Sequence, residues 1–304
     1  MTTSAQAVQN ALNAGTAVLA FNIPYLPMID PIVRAIVDTD SFAFLEVARL
    51  EWMKFESKSL DAVMDEFRAC ASLRHVRLHL DHVPVIDEDH REVDYLPIFE
   101  TAIGLGYDSV MVDGSRLDLA GNIEATKRVA DLAHAAGVAC EAELGAVFGH
   151  GDGPAPPYEE LFNSRQGFTD LDEARRFVQE TSCDWLSVAI GNVHGAISAA
   201  TRDQKKVAAR LDLDHLARLR DVTNIPLVLH GGSGIPTELL RAAVTRGIAK
   251  INVATEVRQC YEVAIRETGD VPAARERLYA KAKALLEEDF AVAGMRAAVC
   301  KQDA

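Results

Sequence analysis

The sequence predicts an α/β protein: a (β/α)8 TIM barrel with extra C-terminal helices. Three observations carry that expectation. Eight short apolar runs alternate with amphipathic stretches, which indicates parallel βαβ units, and eight strands close such a barrel. The 304 residues exceed the usual barrel of about 250 by enough to add terminal helices. Unusual polar residues gather at the ends of the runs, where barrel active sites lie. An open doubly wound sheet is the rival arrangement.

The elements follow in order. Strands are predicted at 17–23 (AVLAFNI), 42–48, 75–81, 107–112, 138–144, 184–190, 225–230 and 248–253. Leu60, Val63, Met64, Phe67 and Cys70 recur at helical spacing within 57–72. An alanine-rich helix is predicted over 118–136, ending at Gly137. Further helices are expected at 170–181, 212–222, 236–246 and 255–267, with two more segments within 271–300. The chain reads as one domain, 1–304, with the barrel at about 15–265 and a helical extension at about 266–304. Two connections, 145–169 and 191–211, are unusually long and follow strand ends. Loops of that length in that place read as lids or substrate loops.

Composition narrows the function. With 31 Lys+Arg against 45 Asp+Glu, the formal charge is −14. That balance excludes nucleic acid as a partner, because phosphate backbones need a basic face. It also argues against a membrane surface, and no run approaches the roughly 18 apolar residues of a membrane span. No secretory signal is visible at the N-terminus. Five scattered cysteines without a CxxC pair read as reduced thiols in the cytoplasm.

Five strands end in metal-competent side chains. They are Asp81 and His82, Asp113, Glu141 and Glu143, His194, and His230. A barrel brings these ends to one rim. Three imidazoles there suit zinc, with a coordination position left for substrate. Neighbours on a regular strand face opposite ways, so Asp81 and His82 share a site only if the chain turns between them. Asp81 reads either as a general acid/base or as a partner that orients a ligand imidazole. His79 shares parity with Asp81 and reads as structural or as lying behind the site. His75, His90, His134 and His215 read as surface or helix residues. The turn Gly231-Gly232-Ser233-Gly234 and the segment Asn252-Val253-Ala254-Thr255 follow the last two strands, where barrels commonly bind phosphate.

Together these motifs resemble the class II, zinc-dependent ketose-bisphosphate aldolases, nearest the tagatose- and fructose-bisphosphate branch, as a divergent member. The motifs are AFNI (20–23), LDH (80–82), SVMVDGS (109–115), EAELG (141–145), AIGNVHG (189–195), LVLHGGSG (227–234) and KINVAT (250–255). The resemblance implies one catalytic Zn2+ held by His82, His194 and His230. Asp113 and Glu143 match residues near an alternative metal position. Asp81 matches the acid/base at the C4 hydroxyl of the ketose. Asn22, Gly195, Gly231, Ser233, Asn252, Ala254 and Thr255 match the substrate and phosphate cradle. It further implies a sugar-phosphate substrate, a monovalent cation near these loops, and a homodimer or homotetramer. The implied reaction is reversible aldol cleavage to dihydroxyacetone phosphate and an aldehyde, through a zinc-stabilised enediolate.

The sequence departs from that family at three places. The loop after EAELG lacks the usual glutamate, and Asp152 or His150 stands where it would act, or the step differs. The run after the second strand, Glu46 to Trp52, is bulkier than usual. There Arg49 either binds an anionic group on the aldehyde or simply pairs with Glu46 or Glu51. The aromatic-lysine pair expected after His194 is replaced by Ala196-Ile197-Ser198. The metal and phosphate half of the site is therefore the matching half. A metal-dependent isomerase or epimerase, or a non-catalytic sugar-phosphate binder, remain the other readings.

Overall fold

The computed structural model describes residues 1–146, 158–193, 209–232 and 234–301. Eight parallel strands close on themselves in sequence order. They are β1 (Val18–Asn22), β2 (Ala43–Ala48), β3 (Val76–Pro84), β4 (Ser109–Asp113), β5 (Ala139–Leu144), β6 (Trp185–Val188), β7 (Leu227–Leu229) and β8 (Ile248–Val253). The barrel expectation holds, and the open sheet is excluded by the β1–β8 pairing, Val18 to Lys250 through Phe21 to Val253.

The helices are α1 (Ser4–Ala14), α2 (Ile29–Asp38), α3 (Arg49–Lys54), α4 (Leu60–Cys70), α5 (Leu96–Leu105), α6 (Leu119–Ala135), α7 (Tyr158–Ser164), α8 (Leu171–Thr181), α9 (Leu213–Thr223), α10 (Thr237–Val244), α11 (Thr255–Thr268), α12 (Val271–Ala284) and α13 (Arg296–Val299). Side-chain caps set several starts. Ser59 accepts from the Ala62 amide, so α4 begins at residue 60 rather than 57. The apolar spacing of the sequence does not mark α1, α2, α3, α5 or α7. α5 has apolar residues around most of its circumference and shows no clear 3.6-residue stripe. α7 lies within the predicted 145–169 connection.

Strand residues alternate between two environments. One face packs Leu19, Phe21, Leu45, Leu78, Val110, Leu186 and Ile251 against the helices. On the other, Val18, Ala20, Phe44, Ala139, Trp185 and Val228 form a separate apolar cluster with Ala7, Val8 and Ala11 of α1 and with Val299 and Cys300. α1 and the segment at Val299 and Cys300 thus plug the lower mouth of the barrel. Above that plug the interior turns polar, with Glu46, His79, Asp81, Glu141, Glu143, His230, Lys250 and Asn252 all buried.

The extension packs back on the barrel. α12 meets α2 through an Arg275–Asp30 ion pair and a hydrogen bond from the Tyr279 hydroxyl to Asp38, 2.8 Å. The five cysteines are thiols outside any disulfide, three of them buried. Among the described residues no helix is long and apolar enough to cross a membrane.

Candidate active site

Asp81 is the centre of the polar mouth. Its Oδ2 accepts from Asn22 Nδ2 of β1 at 2.9 Å, and its Oδ1 accepts from Asn252 Nδ2 of β8 at 3.2 Å. Burial works against its charge, but His82, His230 and Lys250 outweigh that and hold the carboxyl below its ordinary range.

The β3–β4 register slips between Leu80 and Val83, and His82 takes φ +28°. This bulge is the turn that the sequence reading required. It lets consecutive residues serve one site, because an extra residue on one strand re-aims the side chains. The strand nevertheless continues to Pro84, beyond the predicted end at 81.

Asp113 fixes His82. Its Oδ2 lies 3.1 Å from His82 Nδ1, while Oδ1 accepts from the Ser115 hydroxyl at 2.6 Å and the Ser115 amide at 3.0 Å. Asp113 thus takes the Nδ1 edge of the ring. Burial opposes the charge of Asp113, but His82 and Ser115 hold this carboxyl far below its usual value.

His230 stands across the mouth, its ring centroid 4.7 Å from that of His82. Glu141 Oε1 is 2.8 Å from its Nε2, and Glu143 Oε2 is 3.1 Å from its Nδ1. A cation at Nδ1 would lie within reach of Glu143, which also accepts from Ser187 Oγ at 3.2 Å. Asn192 donates to the His230 carbonyl at 2.9 Å and accepts from the Ile190 amide at 2.9 Å, so it ties the ends of β6 and β7 together. Nothing in the sequence reading singled out Asn192; its place two residues before His194 was the available signal.

Asp81, His82 and His230 each offer a ligand atom within 4.8 Å of the others. Burial lowers the basicity of both imidazoles. Asp81 and Asp113 reverse this at His82, and Glu141 and Glu143 reverse it at His230, which is raised to about 9. A pocket that stabilises positive charge on two facing imidazoles fits a divalent cation with nitrogen and oxygen ligands. His194, the third expected ligand, lies outside the described residues, as do Gly195, His150, Asp152 and Ser233.

Beneath Asp81 lies a layer that the sequence reading largely missed. Lys250 Nζ sits 3.2 Å from Glu46, 3.0 Å from Glu141 and 2.6 Å from Asn252 Oδ1, with no exposure. Trp185 Nε1 donates to Glu141 at 2.6 Å. Strand parity was the signal: Lys250 precedes Asn252 by two and so shares its face.

The remaining site residues are dispersed along the rim. Asn252, expected in the phosphate cradle, has both ends of its amide engaged by Asp81 and Lys250. Gly231 adopts φ +66°, a conformation that favours glycine. Ala254 and Thr255 form the first turn of α11, whose amides suit an anion. Arg49 opens α3 and faces Asp87 at 3.8 Å. It does not pair with Glu46 or Glu51: Glu46 meets Lys250 inside the barrel, and Glu51 accepts the Ala48 amide at 2.9 Å. His215, expected at the surface or on a helix, is on α9 but buried, with Nε2 2.7 Å from the Thr169 carbonyl.

Comparison with known proteins agrees with this geometry. A solved aldolase, YdjI of Escherichia coli K12, is 26% identical with a TM-score of 0.73, over 96% of this chain and 97% of that one. A Coccidioides immitis structure, assigned as a fructose-1,6-biphosphate aldolase, is 25% identical with a TM-score of 0.76, over 97% and 98%. The fructose-bisphosphate aldolase of Campylobacter jejuni shares the fold at 18% identity, with a TM-score of 0.71 over 94% and 93%. The family described as Fructose-bisphosphate aldolase class-II matches residues 2–301. The barrel, the polar mouth and a match across nearly the whole sequence lead to one conclusion: this chain belongs to the class II fructose-bisphosphate aldolase family.

Proposed function

We propose that the protein is a zinc-dependent aldolase that reversibly cleaves a phosphorylated ketose to dihydroxyacetone phosphate and an aldehyde. The observation that carries this reading is Asp81: a buried carboxylate held by two amides, beside two imidazoles in a pocket that favours a cation. His82 and His230, with His194, would hold the ion. Bound zinc supplies Lewis acidity toward the ketose oxygens and the negative charge that develops when the C3–C4 bond breaks.

The chain's own residues do the rest. Asp81, ionised at neutral pH, takes the proton from the C4 hydroxyl during cleavage and returns it in the condensation. Asn22 and Asn252 fix its direction. Asp113 fixes the ring of His82. Gly231, Ser233 and the first turn of α11 receive the phosphate through amides and hydroxyls. Arg49 serves an anionic group at the aldehyde end, a role supported by its place on the rim just after β2. His150 or Asp152 handles the C3 proton. A monovalent cation near the phosphate loops belongs to the same reading, as does a cytoplasmic homodimer or homotetramer.

The test is a panel of ketose phosphates given to zinc-loaded protein, with triose phosphate release as the readout. Release from at least one is expected, and its absence from all, with zinc bound, contradicts the proposal. The altered segment 148–153 motivates a second reading, an isomerase or epimerase on the same scaffold. That reading predicts solvent hydrogen exchange into dihydroxyacetone phosphate without cleavage.

A further inference from the structure

α7 belongs to the connection between β5 and β6, yet its first turn reaches the connection that follows β6. The Tyr158 hydroxyl donates to the Gly191 carbonyl at 2.8 Å and accepts from the Arg210 amide at 2.6 Å. Glu159 pairs with Arg210 at 2.6 Å, and the Arg210 guanidinium lies over the Phe162 ring, 4.4 Å from its centroid. Gly191 fits this junction because it has no side chain. At φ +108°, a Cβ there would lie 2.6 Å from the Arg210 carbonyl oxygen and 2.6 Å from the Phe162 ring. The stem below α7 is fixed as well. The Ala146 amide donates to the Gly167 carbonyl at 2.8 Å. The Thr169 hydroxyl donates to the Leu144 carbonyl at 2.5 Å and accepts from the Ala189 amide at 2.8 Å.

The path inward from Tyr158 is short. The Gly191 carbonyl and the Asn192 N–H belong to one planar peptide unit, so holding the carbonyl sets the direction in which Asn192 leaves it. Asn192 is 1% exposed, and its side-chain amide donates to the His230 carbonyl at 2.9 Å. We propose that Tyr158 is a positioning residue for the active site. By holding the Gly191–Asn192 peptide, it sets the end of β7 that presents His230.

The alternative is that α7 merely covers the barrel mouth. A cover needs the aromatic ring, whose centroid lies 5.9 Å from that of Phe162. It does not need a hydroxyl set between the Gly191 carbonyl and the Arg210 amide and bonded to both. Those two bonds point the oxygen at the backbone next to Asn192 rather than at solvent. The inference rests on the reading of His230 as a metal ligand.

The test is Tyr158→Phe in the full-length protein, which keeps the ring and removes only the hydroxyl. Zinc affinity is read in competition with a chelator, well below the thermal midpoint. The net contribution of one hydrogen bond corresponds to about two- to tenfold, and zinc binding should weaken by that factor. With zinc saturating, kcat for ketose-phosphate cleavage should fall while KM stays. Zinc affinity and kcat equal to wild type overturn the proposal even if the midpoint drops, because a mere cover moves only the midpoint. His230→Ala separates the two readings. If it keeps wild-type zinc, His230 is no ligand and the reading beneath this inference fails. If it loses zinc while Tyr158→Phe binds as wild type does, this inference alone fails. Weaker zinc binding in Tyr158→Phe, in a protein that cleaves no ketose phosphate, would refute the aldolase reading and leave this one standing. Asn192→Ala gives a second check. In that background Tyr158→Phe should cost little more, because residues acting in series are not additive. Fully additive losses would overturn the proposed route through Asn192.

Discussion

Two amides do for Asp81 what water does for an exposed carboxylate. Hydrogen bonds to charged groups contribute about 1.5–3 kcal/mol, so Asn22→Ala should lower kcat/KM roughly ten- to hundredfold in a ketose-phosphate cleavage assay, with zinc content unchanged. Asp113 acts one step further from the chemistry. Replacing it by Asn removes the negative partner of His82 Nδ1, and a loss of about 10–100-fold in zinc affinity is expected in competition with a chelator. Unchanged affinity would mean that Asp113 does not orient the ligand. Residues such as Asp81, His82 and His230 were legible because ionisable side chains at strand ends are conspicuous in an apolar pattern. Arg49 was legible as a rim residue, but its partner Asp87 was not, because that contact spans the connection after β3.

At the scale of elements, the bulge in β3 joins sequence to chemistry. The paired residues Asp81-His82 were visible in the sequence; the register slip that lets both face inward was not, since it depends on pairing with β4. Strand order was legible from the rhythm of apolar runs. α2 and α5 were not singled out, and nor was α1, whose small residues pack under the barrel rather than on its side. The turn after β4 is equally exacting. A Cβ on Gly114 would lie 2.2 Å from Asn122 Oδ1. Asn122 cannot move freely, because it donates to the Glu143 carbonyl at 3.0 Å and accepts from Thr126 at 3.1 Å. Gly114→Ala should therefore cost about 1–3 kcal/mol of stability, read as a lower thermal midpoint. An unchanged midpoint would show that this turn has room that the packing denies.

Across the whole molecule, stability and charge meet in the barrel interior. Burial opposes the ionised forms of Asp113 and Glu141, but their partners, His82 and Ser115 for one and Lys250 and His230 for the other, hold both far below their ordinary values. Carboxyls depressed in the folded state contribute stability above their unfolded pKa values, about 3.9 and 4.3, and lose it as the pH falls below them. Denaturant midpoints of zinc-stripped protein should thus fall steeply below about pH 4, and less steeply in Asp113→Asn. The net charge of −14 is compatible with an anionic substrate because the proposed phosphate cradle uses amides and hydroxyls rather than a basic surface.

The central claim is that a zinc site and Asp81 perform separable parts of one cleavage. The most direct measurement compares zinc content and triose phosphate release in wild type, Asp81→Ala and His230→Ala, using the ketose phosphate that wild type cleaves best. The account predicts full zinc and at least a hundredfold loss of cleavage in Asp81→Ala, the lower end of what general acid–base catalysis contributes (about 10²–10⁴). His230→Ala should lose both zinc and cleavage. Cleavage that survives Asp81→Ala, or zinc that survives His230→Ala at wild-type stoichiometry, would contradict it.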